Sequence, residues 1–197
     1  MTREMLFALA LGYLLGSIPF GLLLTRIAGK GDIRNIGSGN IGATNVLRTG
    51  SKLLAALTLV LDCLKATVAI LLARRLFGVE TAPVAAAGAL IGHLYPVWLK
   101  FRGGKGVAIL LGVLLGLQLW IAAVVYAAIW ILLLLTLRIS SVAGMTAAVS
   151  APIVAAVNHS TLVPMLLGFA VLVLWKHREN ILRLRRGTEP RIGRARA

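Results

Sequence analysis

Carboxylates are the scarcest chemistry in this 197-residue chain: six Asp and Glu stand against 21 Lys and Arg, for a formal charge of +15. So few acids leave no aspartate-rich box and no carboxylate or histidine cluster at ligand spacing near the polar loops, so neither a metal nor any other cofactor is expected. A single cysteine, Cys63, lies in an apolar run and excludes an intrachain disulfide, a CxxC pair and a thiolate metal cluster. The chain also lacks a solenoid repeat and any polar stretch long enough to fold as a soluble domain. Hydrocarbon fills it instead, with 59% hydrophobic residues and a mean hydropathy of +0.92, the composition of an integral membrane protein. The basic residues are dispersed between apolar runs, which argues against nucleic acid and for membrane phospholipids or phosphorylated substrates as partners.

A spanning helix needs about 20 apolar residues, fewer when packed inside a bundle. Candidate spans lie near 4 to 26, 52 to 73, 81 to 99, 105 to 119, 120 to 137, 141 to 157 and 161 to 177. The break between the fourth and fifth rests on Gly116 to Gln118, and the sixth contains Pro152, so five spans are the fallback. The first segment is too long for a signal-peptide core and lacks a small-x-small cleavage site, so it reads as a retained helix. Placing the N-terminus outside puts the loops 27 to 51, 100 to 105 and 138 to 140, and the tail from Lys176, on the cytoplasmic side with nearly all the positive charge. The expected fold is an all-α integral membrane protein: a compact seven-transmembrane-helix bundle, N-terminus outside and C-terminus cytoplasmic. The whole chain, 1 to 197, reads as one domain, with a basic, poorly ordered cytoplasmic tail from about residue 183 at the anionic leaflet.

Four polar clusters then share the cytoplasmic side. In "RNIGSGNIGATNVLR", Gly37, Gly39 and Gly42 let backbone N–H groups converge on an anion, Ser38, Asn40, Thr44 and Asn45 add side-chain donors, and Arg48 can fork onto a phosphate. Any helical turn within 41 to 48 would turn its N-terminus to the same anion. In "KFRGGKGV", Arg102, Gly103, Gly104 and Lys105 open the next apolar run as an anion cradle, without the spacing of a nucleotide P-loop. Just upstream, His93 is expected to hold a loop carbonyl rather than to move protons. Asp62 and Lys65, three apart inside a span, should face the bundle and pair as a structural brace. Arg138, Ser140 and Ser141 stand between two spans, and His177 and Asn180 share a helix face from which Glu179 points away.

The segments "GSIPFG" (16 to 21), "GSGNIGATNVLR" (37 to 48), "LDCLK" (61 to 65), "GHLYPVW" (92 to 98), "FRGGKGVA" (101 to 108) and "KHRENILRLRRGTE" (176 to 189) resemble, in order, the bacterial acyl-phosphate-dependent glycerol-3-phosphate acyltransferases of the PlsY family. The resemblance implies acyl transfer from acyl phosphate to the 1-hydroxyl of glycerol 3-phosphate, giving lysophosphatidate and phosphate, in a compact seven-helix bundle of the bacterial inner membrane with its site facing the cytoplasm. It also implies that Ser38, Asn40, Thr44, Arg48, Lys105, Ser141, His177 and Asn180 are the substrate-binding and catalytic positions. Arg102 stands where the family often has Lys, Ala66 where it has Gly, and Ile109 where it has Thr.

Residue chemistry agrees, because the loops offer cations and hydroxyls but no Ser-His-Asp set and no H-x4-D box. An acyl phosphate carries its own leaving group, so the protein need mainly orient two anions and stabilise charge, with a substrate phosphate oxygen accepting the hydroxyl proton. No protein nucleophile is needed. The chain is expected to act as a monomer, supplied by the enzyme that makes acyl phosphate. Two alternatives remain: a transporter of an anionic metabolite, and a CDP-alcohol phosphotransferase, whose aspartate-rich metal box is absent.

Overall fold

The computed structural model describes residues 1–193, and it is helical throughout with two compact units, Met1–Gln118 and Leu119–Ala197. The first unit runs α1 (Arg3–Gly16), α2 (Phe20–Ile27), α3 (Ala43–Leu47), α4 (Lys52–Phe77), α5 (Ala82–Leu94) and α6 (Val107–Gly116). The second runs α7 (Trp120–Leu137), α8 (Ser140–Val157), α9 (Val163–Lys176) and α10 (Arg178–Arg185).

The helix boundaries follow local chemistry. Thr2 caps α1 by accepting the Met5 N–H at 3.3 Å, and Ser51 caps α4 by accepting the Leu54 N–H at 3.2 Å. The span read over 4 to 26 is present as the apolar segment Arg3–Ile27, but its helix is interrupted: Ser17 closes α1, and Pro19, with no N–H to donate, opens α2. Between α6 and α7 the chain turns at Gln118, at φ 60°, where the polar residue interrupts the apolar run. Pro152 sits inside α8 without ending it.

Among the described residues, five helical segments are long and apolar enough to cross a membrane: Arg3–Ile27, Lys52–Phe77, Val79–Leu99, Trp120–Leu137 and Ser140–Val157. Val107–Gly116 and Val163–Lys176 are apolar but shorter. Side chains pointing outward are as oily as those inside; Val124, Leu135 and Val171 are all well exposed. That is the surface of a multi-pass membrane protein, whose solvent is lipid.

With no contrast in polarity to drive assembly, helices in lipid pack through close backbone approach. In the first unit this is literal. A methyl group at Gly12 or Gly16 of α1 would run into the Ala85 or Ala89 carbonyl of α5, and one at Gly88 or Gly92 of α5 into the Leu9 or Tyr13 carbonyl of α1. The two GxxxG faces thus lie backbone to backbone. Gly112 of α6 meets the Cys63 carbonyl of α4 in the same way, and Thr67 Oγ1 donates across to the Gly112 carbonyl at 2.9 Å.

The basic tail departs from the sequence expectation. Residues 178–185 form α10, the chain turns at Gly187, and the Ile192 N–H donates to the Arg138 carbonyl at 2.7 Å, so the segment folds back onto the end of α7 within its own unit. Glu189 is the reason, because its covered carboxylate gathers three donors and ties the tail down. The last part of that tail, 194–197, lies outside the described residues.

Candidate active site

Three polar constructions carry the residues singled out from the sequence, two in the first unit and one in the second. The first is the loop from Asp32 to Arg48. Asp32 accepts from the Arg34 N–H and side chain and from Arg26, and Arg34's hydrogen bonds hold its carboxyl well below the usual carboxylate range. The centre is Asn45, only 2% exposed. Its Nδ2 donates to the Ile33 and Ile36 carbonyls at 2.7 and 3.0 Å, while its Oδ1 accepts from the Ser38 N–H and from Arg48 Nη1, both at 3.2 Å. Asn45 therefore builds the loop from within.

Gly37, at φ +58°, has no room for a side chain, because Arg48 lies directly across it. Gly39 also takes a positive φ, and Asn40 Oδ1 accepts the Gly42 N–H at 2.9 Å in a short Asx turn. The helical turn expected within 41 to 48 is present as α3, which carries Thr44 and Asn45. Beneath the loop, Leu22, Ile33, Ile41, Val46 and Ala55 form an apolar base, against which Leu47, Leu54 and Leu99 pack.

Leu99 belongs to the second construction, so the two loops of the first unit share one floor. Here the chain leaves α5 and passes through left-handed Lys100 and Phe101, at φ 52° and 60°, before doubling back beside the helix end. The Gly103 N–H donates to the Leu94 carbonyl at 3.2 Å and the Gly104 N–H to the His93 carbonyl at 3.0 Å. Gly106, at φ 91°, then opens α6, so Lys105 stands half-buried between two constrained glycines while Arg102 is exposed. Tyr13 fastens the approach: its hydroxyl donates to the Tyr95 carbonyl at 2.9 Å and accepts the Val97 N–H at 3.0 Å.

Below this loop lies the expected Asp62–Lys65 pair, with Lys65 Nζ 2.7 Å from Asp62 Oδ1 and both side chains buried. His93 stands at this joint, as its position had suggested. Its own backbone carbonyl holds the loop, while its ring nitrogen Nδ1 lies 3.0 Å from Lys65 Nζ.

The third construction belongs to the second unit. Glu189 Oε1 accepts from Ser141 Oγ and from Asn180 Nδ2, each at 2.6 Å, and Oε2 accepts from Arg183 Nε at 2.7 Å. Burial would raise this carboxyl's pKa, but the bonds from Ser141, Asn180 and Arg183 and the Arg183 charge bring it below the ordinary value. His177, at the joint of α9 and α10, has Nδ1 2.8 Å from the Val173 carbonyl, which can only accept, so Nδ1 carries a proton. His177 and Asn180 are both buried and Glu179 is exposed, as their spacing suggested. Sequence reasoning passed over Glu189. Its available signal was a lone acid in an otherwise basic stretch, where it must pair with something.

Among the described residues, no group of three or more His, Cys, Asp or Glu is placed to hold a metal ion. The chemistry on offer is that of anion capture by backbone, amides and cations in the first unit, and of hydroxyl and amide groups oriented by one carboxylate in the second.

Comparisons with known proteins fit this inventory. A family model described as glycerol-3-phosphate acyltransferase matches residues 6–187. The chain is 57% identical over 187 residues to a glycerol-3-phosphate acyltransferase of Rhodopseudomonas palustris (strain BisB5), covering 94% of this chain and 95% of that protein. It is 56% identical over 194 residues to one of Mesorhizobium japonicum, covering 98% of each. Crystal structures of PlsY (YgiH), an integral membrane glycerol 3-phosphate acyltransferase, are similar in fold. Its glycerol 3-phosphate form matches with a TM-score of 0.89 and 38% identity over 96% of both chains. Its lysophosphatidic acid form matches with a TM-score of 0.86 and 37% identity, covering 96% of this chain and 95% of that one.

Proposed function

The chain belongs to the glycerol-3-phosphate acyltransferase family, and from that premise we propose that it moves an acyl group from acyl phosphate to the 1-hydroxyl of glycerol 3-phosphate. The hydroxyl oxygen attacks the acyl carbon, the bond from that carbon to the phosphate oxygen breaks, and the hydroxyl proton passes to a phosphate oxygen of the substrate. Lysophosphatidate and inorganic phosphate leave, in the first acylation of phospholipid synthesis.

The observation that carries this reading is the loop around Gly37: a forked cation laid over a glycine and braced by a buried amide is suited to a phosphate. In the proposed assignment Ser38, Asn40 and Thr44 donate to the acyl phosphate, and Arg48 and Lys105 bind phosphate oxygens as a fork and a point charge. Gly37, Gly39, Gly103 and Gly104 keep the backbone low enough for approach, with Arg102 at the rim and Asn45 as the internal brace. Ser141, His177 and Asn180 orient glycerol 3-phosphate. Ser141 and Asn180 each donate to Glu189, which holds both side chains in one orientation for that substrate.

Both compact units serve this one reaction, as a single acyltransferase domain acting as a monomer. Seven spans, the five long ones with Val107–Gly116 and Val163–Lys176, put the N-terminus outside and every polar construction at the cytoplasmic face of the inner membrane. There an acyl phosphate-forming enzyme can supply the donor. No divalent ion takes part, since the cations that meet phosphate are side chains.

Purified protein in detergent with EDTA, given radiolabelled glycerol 3-phosphate, is expected to form lysophosphatidate when acyl phosphate is added and not when acyl-CoA is. Product from acyl-CoA, or activity lost to EDTA and restored by magnesium, would overturn the assignment. Single cysteines replacing exposed Lys30, Arg102 and Glu179 in a Cys63-free background should label only from the inner face; labelling of any two from outside refutes the orientation.

A further inference from the structure

The glycine loop that carries Lys105 rests on a buried charged cluster to which the reaction assigns no step. Lys65 Nζ has three neighbours at bonding distance: Asp62 Oδ1 at 2.7 Å, the Ile18 carbonyl at 2.7 Å and His93 Nδ1 at 3.0 Å. Paired with Asp62, Lys65 is taken as the charged ammonium, which has three protons and no lone pair, so each of the three partners must accept. Nδ1 of His93 is therefore the unprotonated nitrogen. Asp62 Oδ1, 4.0 Å from Nδ1, is too far to receive a proton bond from it.

A neutral imidazole with Nδ1 bare carries its proton on Nε2. That edge of the ring faces the loop: a methyl group added to Gly104 would collide with Nε2 and Cε1. The same residue's backbone carbonyl accepts the Gly104 N–H at 3.0 Å, and a methyl group at Gly103 would strike that carbonyl too. His93 thus presses on the loop from two sides, with an N–H edge against Gly104 and a carbonyl under it.

We propose that His93 is a positioning residue for the reaction, locked by the buried Asp62–Lys65 pair in the Nε2–H tautomer so that its ring and carbonyl shape the backbone of Gly103–Lys105 for a phosphate. The proposal rests on the reading of that loop as a phosphate site. It differs from a simple structural brace because it specifies a tautomer and a substrate-binding effect. The ion pair sets which ring nitrogen carries the proton, the ring sets the path of Gly104, and the path of Gly104 sets where Lys105 stands.

Two substitutions separate the two nitrogens of the ring. His93→Gln places an amide N–H near the position of Nε2, whereas His93→Asn reaches only as far as Nδ1. His93→Asn is expected to raise the KM for one of the two phosphate substrates about tenfold or more, with kcat within about threefold, and His93→Gln to recover most of it. The double variant Asp62→Asn/Lys65→Met, which removes both charges together and leaves neither buried alone, should raise the same KM.

The tautomer is read directly from long-range nitrogen–proton correlation spectra of histidine-labelled wild-type protein in detergent, with His93 distinguished from the other two histidines by its loss in His93→Gln. A protonated Nδ1, or a doubly protonated ring, overturns the proposal. So does an unchanged KM in His93→Asn while Lys105→Ala raises it. Should Lys105→Ala itself leave both KM values unchanged, the phosphate-loop reading fails and the positioning role with it, while the nitrogen spectrum still decides the tautomer.

Discussion

Asn45 in the first unit gathers four residues and Glu189 in the second gathers three, yet one hub is a neutral amide and the other a carboxylate. An amide both gives and takes, so Asn45 can tie carbonyls, an N–H and a guanidinium of one loop together without adding charge beside Arg48. A carboxylate only takes. Glu189 therefore collects donors from Ser141, Asn180 and Arg183, with Arg183 offsetting its charge. The first unit presents cations and backbone amides and the second a hydroxyl and an amide held by a carboxylate, a division that suits the proposed reaction between a phosphate-bearing donor and an alcohol.

The strongest way to break the comparison is to remove the cations of the first unit. Arg48→Ala and Lys105→Ala should each lower kcat/KM by about thirty- to a thousand-fold, equivalent to roughly 2 to 4 kcal/mol for a charge-assisted contact in a partly desolvated site. Lys105→Arg should restore only part, because a planar fork does not replace a compact ammonium between glycines. Retention of more than a third of activity in either alanine variant would remove the first unit from phosphate binding.

Next comes Asn45→Asp, which keeps the shape of the neutral hub and makes it anionic. Donation to the Ile33 and Ile36 carbonyls is lost and a negative charge is placed beside Arg48, so kcat/KM should fall about ten- to a hundred-fold. Activity equal to wild type would mean that the neutrality of this hub is immaterial. The reverse exchange, Glu189→Gln, sets an N–H against at least one of the three donors and should cost about 1.5 to 3 kcal/mol of stability, read as a lowered Tm. Because the folded carboxyl titrates below its ordinary pKa of 4.5, its contribution is intact above that value and is lost as the pH falls below it. The wild-type Tm should thus drop below about pH 4.5 more steeply than that of Glu189→Gln. The smallest effect is expected from Glu179→Ala, within about twofold in rate, since the side chain is exposed and off the His177–Asn180 face. A loss there comparable with Lys105→Ala, in folded protein, would point to a protein carboxylate as base.

Where chemistry is local, the sequence disclosed it. A charged pair three residues apart in an apolar run has little choice but to pair, and Asp62 and Lys65 do. A Gly-rich stretch ending in Asn and Arg reads as a tight loop with a helical turn, and Gly37 and Gly39 at positive φ and α3 are there. Where partners are remote, composition misled. Glu189 was hidden in a tail that looked like solvated charge because its partner Ser141 lies 48 positions away, and no periodicity reports such a pairing. Asn45 looked like one more donor facing a ligand, and only the paths of Ile33 and Ile36 reveal that its amide is committed within the loop. At "GSIPFG" the proline did signal a break, but the apolar character on both sides let the segment pass as a single helix.

The glycine faces of α1 and α5 also impose an order on biosynthesis. Gly92 follows Gly16 by 76 residues, so at ordinary rates of translation α1 enters the bilayer about 4 to 15 s before the last of its glycine partners is made. During that interval its narrow face has no α5 to meet, and α4 is made before α5 arrives to fill the groove. The N-terminal helix is therefore the first to be synthesised and among the last to find its register in the first unit.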